Sequence, residues 1–284
     1  ENSFFTARRS EKLLTIFSVA AVAALLFGCA AKDSAPAPKH RKIALHGYDY
    51  RNQASLVDTV KKAAEMKVDG VVLSKTQFIG GKYPDVKVSE KMTPEQRAYL
   101  KKVFADNKIE MASFGIYTVA ENELEQHLAF CKDMNIKVFT EEMPRQYQAK
   151  IDALAKKYGV EIAVHHHGRK TNEYWNPEVL AQVVAPFSNI GVCADNGHWV
   201  RAGVDICGAY KTIGKKLKML HFKDVIMPEG RDTYLGGGSL DVQKMLATLD
   251  SLGFDGYFVL EYEGGDEKHL DDIMRKSIEY LRAR

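Results

Sequence analysis

From Ile43 onward, short apolar runs alternate with longer segments whose apolar residues recur at helical spacing, and the alternation repeats eight times. The runs predict strands at Ile43–His46, Gly70–Ser74, Ile109–Phe114, Ile136–Glu141, Val160–His165, Ile190–Asp195, Leu217–His221 and Tyr257–Glu261. They show little polar alternation, as strands buried on both faces of a parallel sheet do. Between them, Ala54–Met66 sets Val57, Val60 and Ala64 on one helical face. Thr93-Pro94-Glu95-Gln96 supplies an N-cap, a first-turn proline and a capping-box glutamine, and Asn176-Pro177-Glu178 opens another helix in the same way. A helix over Tyr147–Tyr158 stops at Gly159. Further helices fit Glu121–Met134, Val204–Lys211 and Leu240–Leu252, and Leu270, Ile273, Met274, Ile278 and Leu281 form the stripe of a closing one.

Strand followed by helix, eight times over about 240 residues, is the order and size of an α/β protein of the (β/α)8 TIM-barrel class. An open doubly wound sheet is the competitor. No strand is followed by the Gly-x-Gly-x-x-Gly turn of a dinucleotide site, and several strands end in ionisable side chains, which favours a closed barrel with one mouth.

The chain has 284 residues, a net charge of +3 and 45% hydrophobic residues, enough for one sizeable globular domain. Its basic excess is dispersed, so no nucleic-acid partner is expected. Before the barrel, Arg8, Arg9 and Lys12 precede the apolar run Leu13 to Phe27, which is short for a membrane span and suits the core of an export signal. Its ending, Leu26-Phe27-Gly28-Cys29, resembles a bacterial lipobox, with Phe27 departing from the usual small residue. Residues 1–29 are therefore read as a signal peptide and residues 30–42, rich in Ala, Pro, Lys and Ser, as a tether to a catalytic domain over 43–284. The expectation is an exported, periplasmic or cell-envelope lipoprotein that meets the membrane only through its lipid anchor. Cys131, Cys193 and Cys207 lack metal-ligand spacing and are read as packing residues, Cys193 beneath Asp195.

The candidate chemistry stands at the strand ends. Asp195 follows Val192-Cys193-Ala194, His221 follows Met219-Leu220, and Glu261 follows Phe258-Val259-Leu260. Carboxylates and an imidazole at the ends of apolar runs need charge partners, and one divalent ion would satisfy all three. Counting five positions from Ile136, Val160 and Ile190 puts Glu141, in preference to Glu142, at one height and on one face with His165 and Asp195, provided the strands start level. Glu141, Asp195, His221 and Glu261 are accordingly the candidate metal ligands. Of His165-His166-His167, only the first and third can face the mouth. His165, Glu261 and Lys223 are the candidate catalytic groups, and His46, His167, His198, Trp199 and Glu263 the candidate substrate contacts. Bland alternatives stand beside these: Asp195 as a helix N-cap, His198 as a loop residue, Lys223 as a partner for Asp224 or another carboxylate, and His127 and His269 as surface side chains. Gly236-Gly237-Gly238-Ser239 precedes a helix where barrels often hold phosphate, and a flexible loop explains it at least as well.

Together, Cys193-Ala194-Asp195-Asn196-Gly197-His198-Trp199, His221-Phe222-Lys223-Asp224 and Leu260-Glu261-Tyr262-Glu263 resemble the xylose isomerase-like barrel family of sugar phosphate isomerases and epimerases, from about Ile43 to the C-terminus. The resemblance implies one divalent ion (Mn, Mg, Co or Zn) held by Glu, Asp, His and Glu, a small carbohydrate substrate, and isomerase or epimerase chemistry through an enediolate on a non-phosphorylated sugar or keto-sugar; an oligomer is compatible with it. Asp195, His221 and Glu261 match three ligand positions. The fifth-strand glutamate is replaced by His165, within Val164-His165-His166-His167-Gly168, which resembles a subgroup with His-Asn-His-Gly there; Glu141 is the carboxylate expected to make good the loss. That departure opens a second reading, a lyase or hydratase acting on 3-keto-glycosides. A third is a non-catalytic sugar-binding lipoprotein; Trp175 and Trp199 would suit stacking on a sugar in either case.

Overall fold

The computed structural model describes residues 40–171 and 173–284; the expected signal peptide, Cys29 and the tether up to residue 39 lie outside them. Eight parallel strands close into a barrel: β1 Ile43–His46, β2 Gly70–Leu73, β3 Glu110–Tyr117, β4 Val138–Glu141, β5 Glu161–His165, β6 Ile190–Asp195, β7 Leu217–Phe222 and β8 Tyr257–Leu260. Each pairs with its neighbours in sequence, and β1 pairs with β8 to complete the ring. All eight predicted strands are present, with ends that differ by up to three residues.

The helices follow their local signals. Thr93 caps Pro94–Asn107 with both halves of the capping box in place, and the Asn176 side chain accepts from Val179 N ahead of Pro177–Val184. The helix Gln148–Tyr158 ends at Gly159, whose φ of 66° is the left-handed turn that glycine adopts without a Cβ clash. Two hairpins went unpredicted, and one helix entered only through the alternative in which Asp195 is an N-cap. Asn196–Arg201 is a short helix directly after β6, and two antiparallel hairpins, Phe78–Gly80 with Tyr83–Lys87 and Asp224–Ile226 with Arg231–Thr233, follow β2 and β7. Among the described residues, no helix is long and apolar enough to cross a membrane.

Two apolar layers hold the barrel. The larger lies between the strands and the helices. The smaller is the floor inside the ring, made of Ala44, Val72, Ala112, Ala163, Cys193, Met219 and Val259. Because side chains on a strand alternate faces, the residue two positions beyond each floor residue also points inward. Those positions are His46, Ser74, His165, Asp195, His221 and Glu261. On β3 the ladder slips a residue between Met111 and Ser113, so Phe114, two beyond Ala112, joins the outer layer instead. On the other strands one inward row fills the ring's cavity and the next supplies its chemistry. Cys193 lies in the floor as expected, and Cys131, Cys193 and Cys207 are buried free thiols.

Candidate active site

At the C-terminal end of the barrel, Asp195, His221 and Glu261 come together with His46, His165 and Lys223, all at most 8% exposed. Lys223 Nζ donates to Asp195 Oδ2 at 3.0 Å and to Glu261 Oε2 at 2.7 Å. His221 Nδ1 lies 2.9 Å from Glu261 Oε2 and 3.9 Å from Asp195 Oδ2, and His165 Nε2 lies 3.7 Å from that same Asp195 oxygen. Burial alone would raise the Asp195 carboxyl, but Lys223, His198 and His165 outweigh it and hold the group well below the usual carboxylate range. For Glu261 the same upward pull of burial is overcome by His221 and Lys223. The two carboxylates in turn keep the buried Lys223 ammonium charged. Burial drives the His46 imidazole down to about 3.

The local chain explains why these groups hold their places. Asp195 is both a site residue and the N-cap of the short helix, accepting from His198 N at 2.8 Å. Asn196 locks the lysine's backbone, donating to Lys223 O at 2.6 Å and accepting from Lys223 N at 3.0 Å. Asp224 turns the other way. Its carboxylate accepts from the backbone N–H groups of Val225, Gly236, Gly238 and Leu240 at 2.8 to 3.1 Å. The glycine-rich loop therefore spends its anion-binding amides on a side chain of its own chain, and a Cβ on Gly238 would stand 2.2 Å from Asp224 Oδ1.

Glu141 does not join the group. The level start assumed for β4 and β5 is wrong: the ladder pairs Val138 with Glu161 and Thr140 with Ala163, which brings Glu142 level with His165. Glu141 faces outward, its carboxylate accepting from Met143 N and, at 3.0 Å, from Gln148 Nε2; burial pushes it up to about 8. Glu142, which sequence reasoning passed over, faces the mouth. Its Oε1 accepts from His165 Nδ1 at 2.6 Å and lies 2.7 Å from His167 Nδ1. Burial would raise Glu142, but the two imidazoles bring it down to about 2. Burial would lower His165, but Asp195 and Glu142 bring it up to about 9.

Trp199 is a second correction. It is fully buried behind β5 and β6, stacked on His166 with centroids 4.4 Å apart, and donates its indole N–H to Trp175 O at 3.1 Å. It sits one residue off the face that His198 presents, so it packs rather than meets a substrate. His166 points away from the mouth, accepting from Asp195 N at 3.0 Å. His198 and His167 lie at the rim with ring centroids 4.7 Å apart, and burial lowers His198 to about 4. Glu263 is also at the rim, its Oε2 3.8 Å from Lys223 Nζ. His127 is not a surface residue: it is buried, 2.8 Å from Lys75 Nζ, with Nδ1 on Glu123 O.

The side chains fit a divalent ion. His46 Nε2, His165 Nε2 and His221 Nδ1 are buried without a hydrogen-bond partner, although carboxylate oxygens are near. Lone pairs left in that condition cost free energy unless something takes them up. Metal–ligand bonds of about 2.1 Å place neighbouring donors roughly 3 to 3.5 Å apart. The 3.7 and 3.9 Å separations around Asp195 lie just outside that spacing, whereas the 2.6 Å approach of Glu142 to His165 is that of a hydrogen bond. Two groups of donor atoms, His46–His221–Glu261 and His165–Asp195–His221, each lie within 4.8 Å of one another and share His221. Imidazole with carboxylate suits Mn, Fe, Co or Zn. Glu142 holds His165 from behind through Nδ1 and leaves its Nε2 facing the mouth.

A profile of the xylose isomerase-like TIM barrel matches residues 60–284. The chain belongs to that family. Among curated relatives, the inosose dehydratase of Clostridium perfringens (strain 13) is 24% identical over 153 residues, 48% of this chain and 50% of that one. That of Geobacillus thermodenitrificans is 28% identical over 174 residues, 52% of this chain and 54% of that one. The chain spans about half the length of the curated relatives it matches. An uncharacterized protein from Parabacteroides distasonis superposes with a TM-score of 0.71 at 26% identity, over 86% of this chain and 98% of that one. The IOLI protein, solved with a zinc atom, superposes at 0.70 with 16% identity, over 84% and 95% of the two chains, a likeness of fold.

Proposed function

We propose that this chain is a divalent-metal-dependent sugar-modifying enzyme that enolises a non-phosphorylated keto-sugar or keto-polyol and expels a neighbouring hydroxyl, a lyase of the dehydratase type. One observation carries the choice of branch: the fifth strand ends in His165 braced by Glu142. In the isomerases and epimerases this chain resembles, a glutamate stands there, and a proton shuttle between two carboxylates lacks one member without it. The likeness to inosose dehydratases supports the same branch over half their length.

An ion held by Asp195, His221 and Glu261, with His46 and His165 beside them, would supply Lewis-acid polarisation of a carbonyl and its adjacent hydroxyl, acidifying the C–H between them. Glu261 is the carboxylate placed to take that proton: His221 addresses its Oε2, and Oε1 is the oxygen assigned to the proton. Lys223 donates to the developing enolate oxygen. His165 gives a proton to the departing hydroxyl, which leaves as water. His167, His198 and Glu263 stand at the rim, where sugar hydroxyls would meet them.

The experiment is incubation of the purified chain with MnCl2 and a panel of ketoses and keto-inositols in deuterated water. The expected result is a product lighter by one water, with one solvent deuterium incorporated at the carbon that lost the hydroxyl. Exchange without loss of water would favour the second reading, an isomerase or epimerase in which Glu263 at the rim is the second carboxylate. Neither exchange nor loss, with any substrate, would leave a sugar-binding barrel and sink the enzymatic reading. The lipobox-like Leu26–Cys29 supports export as a lipoprotein, tested by loss of fatty-acid labelling in Cys29→Ser.

A further inference from the structure

The Lys223 ammonium rests on Asp195 Oδ2 and Glu261 Oε2, the same two carboxylate oxygens that the imidazoles of His165 and His221 approach. A divalent ion drawing on those oxygens would stand within a few ångströms of a like charge in a dry site, where repulsion is least screened. We propose that Lys223 is the resident cation of this site, and that a divalent ion enters by displacing its ammonium toward Glu263 at the rim. The inference rests on the metal reading above.

Three features make the exchange a side-chain motion rather than a rearrangement of the barrel. The lysine's backbone is held on both sides by Asn196, so only the side chain is free to swing. Its stem lies against Gly197, where a Cβ would stand 2.5 Å from Lys223 Cδ. The glycine keeps open the space in which the stem runs. Glu263 Oε2 is 3.8 Å from Nζ on a side chain 42% exposed, so a carboxylate stands ready to receive the ammonium on the solvent side. One singly charged group thus neutralises two buried carboxylates in part when no ion is bound, and a doubly charged ion takes its place. Once displaced, the ammonium is at the rim, where a substrate oxyanion would arrive. Metal entry and the arming of Lys223 become one event.

The test uses the full chain, stripped with a chelator and then titrated with MnCl2. Labelling with an amine-reactive acylating reagent, read lysine by lysine by mass spectrometry, should find Lys223 protected without metal and labelled at least about tenfold faster with it, while Lys101 and Lys244 are unchanged. Calorimetric titration should find Mn(II) bound about tenfold more tightly by Lys223→Gln, which lacks the competing charge. Manganese binding to the wild-type chain with Lys223 labelling unchanged would overturn the exchange and leave the metal site standing; so would equal or weaker binding by a folded Lys223→Gln. Should that variant fail to fold, the labelling alone decides. No manganese binding to the wild-type chain would overturn both the site and the exchange.

Discussion

The two halves of the barrel mouth are built on one backbone plan and filled with opposite chemistry. From β5 through β8 to β1, the inward row above the floor is His165, Asp195, His221, Glu261 and His46, five ionisable side chains almost without solvent. On β2 to β4, the inward side chains Ser74, Ser113 and Thr140 are uncharged, Ser113 and Thr140 meeting at 2.7 Å, while Phe114, Tyr117, His127 and Phe139 pack behind them between strands and helices, with rings 4.8 to 6.2 Å apart. One half concentrates charge that needs a cation, and the other is uncharged apart from Glu142 at the end of β4, which pairs back to His165. The lesson is that a closed barrel can be asymmetric in function while symmetric in topology.

The comparison is broken hardest at Asp195. Asp195→Ala should leave Lys223 a half-paired buried charge, costing about 3–5 kcal/mol of stability, and should remove bound metal and all but a trace of turnover. Urea unfolding and metal analysis of the purified variant check this; full metal occupancy would contradict it. Phe114→Ala, in the apolar layer behind β3, should cost a similar amount, about 3–5 kcal/mol by cavity formation, yet leave metal stoichiometry unchanged.

A finer probe is the bridge between Glu142 and His165, read in the metal-free chain. Glu142 sits at about 2 against an ordinary 4.5, so its contribution to stability is present above pH 4.5 and fades as pH falls toward 2. His165 sits at about 9 against 6.5, so its contribution is present below pH 6.5 and is lost as pH rises through 9. Urea midpoints should therefore fall off on both sides of that window; Glu142→Gln should shrink both limbs, the rest of the acid limb being that of Asp195 and Glu261. The smallest effect is expected at Trp199→Phe, which loses one buried hydrogen bond worth about 1 kcal/mol. Its KM for substrate should stay unchanged, and a raised KM would return Trp199 to the mouth.

The eight strands were legible because a barrel strand buried on both faces has few ways to be written other than as a short apolar run. The ends of β6, β7 and β8 were legible for the same reason, since an acid or imidazole after such a run stands out. Glu142 was missed because parity along one strand says nothing of the stagger between two. The ladder offset that brings Thr140 against Ala163 comes from barrel closure, a property of all eight strands at once. Trp199 was misplaced because the helix that Asp195 caps stood only as an alternative reading, and in a helix neighbours in sequence face different ways. The hairpin after β7 has no strong turn dipeptide, and its strands are only three residues each.

The Asp224 carboxylate gathers amides from as far along the chain as Leu240, immediately after the lysine that bridges the two acids. The excursion between those residues is thus cinched at its root, like a purse drawn shut by one thread. Its tip is then free to lengthen, shorten or change sequence across evolutionary time while the reactive centre stays where it is, so relatives can acquire new substrates through the hairpin without rebuilding the charges beneath it.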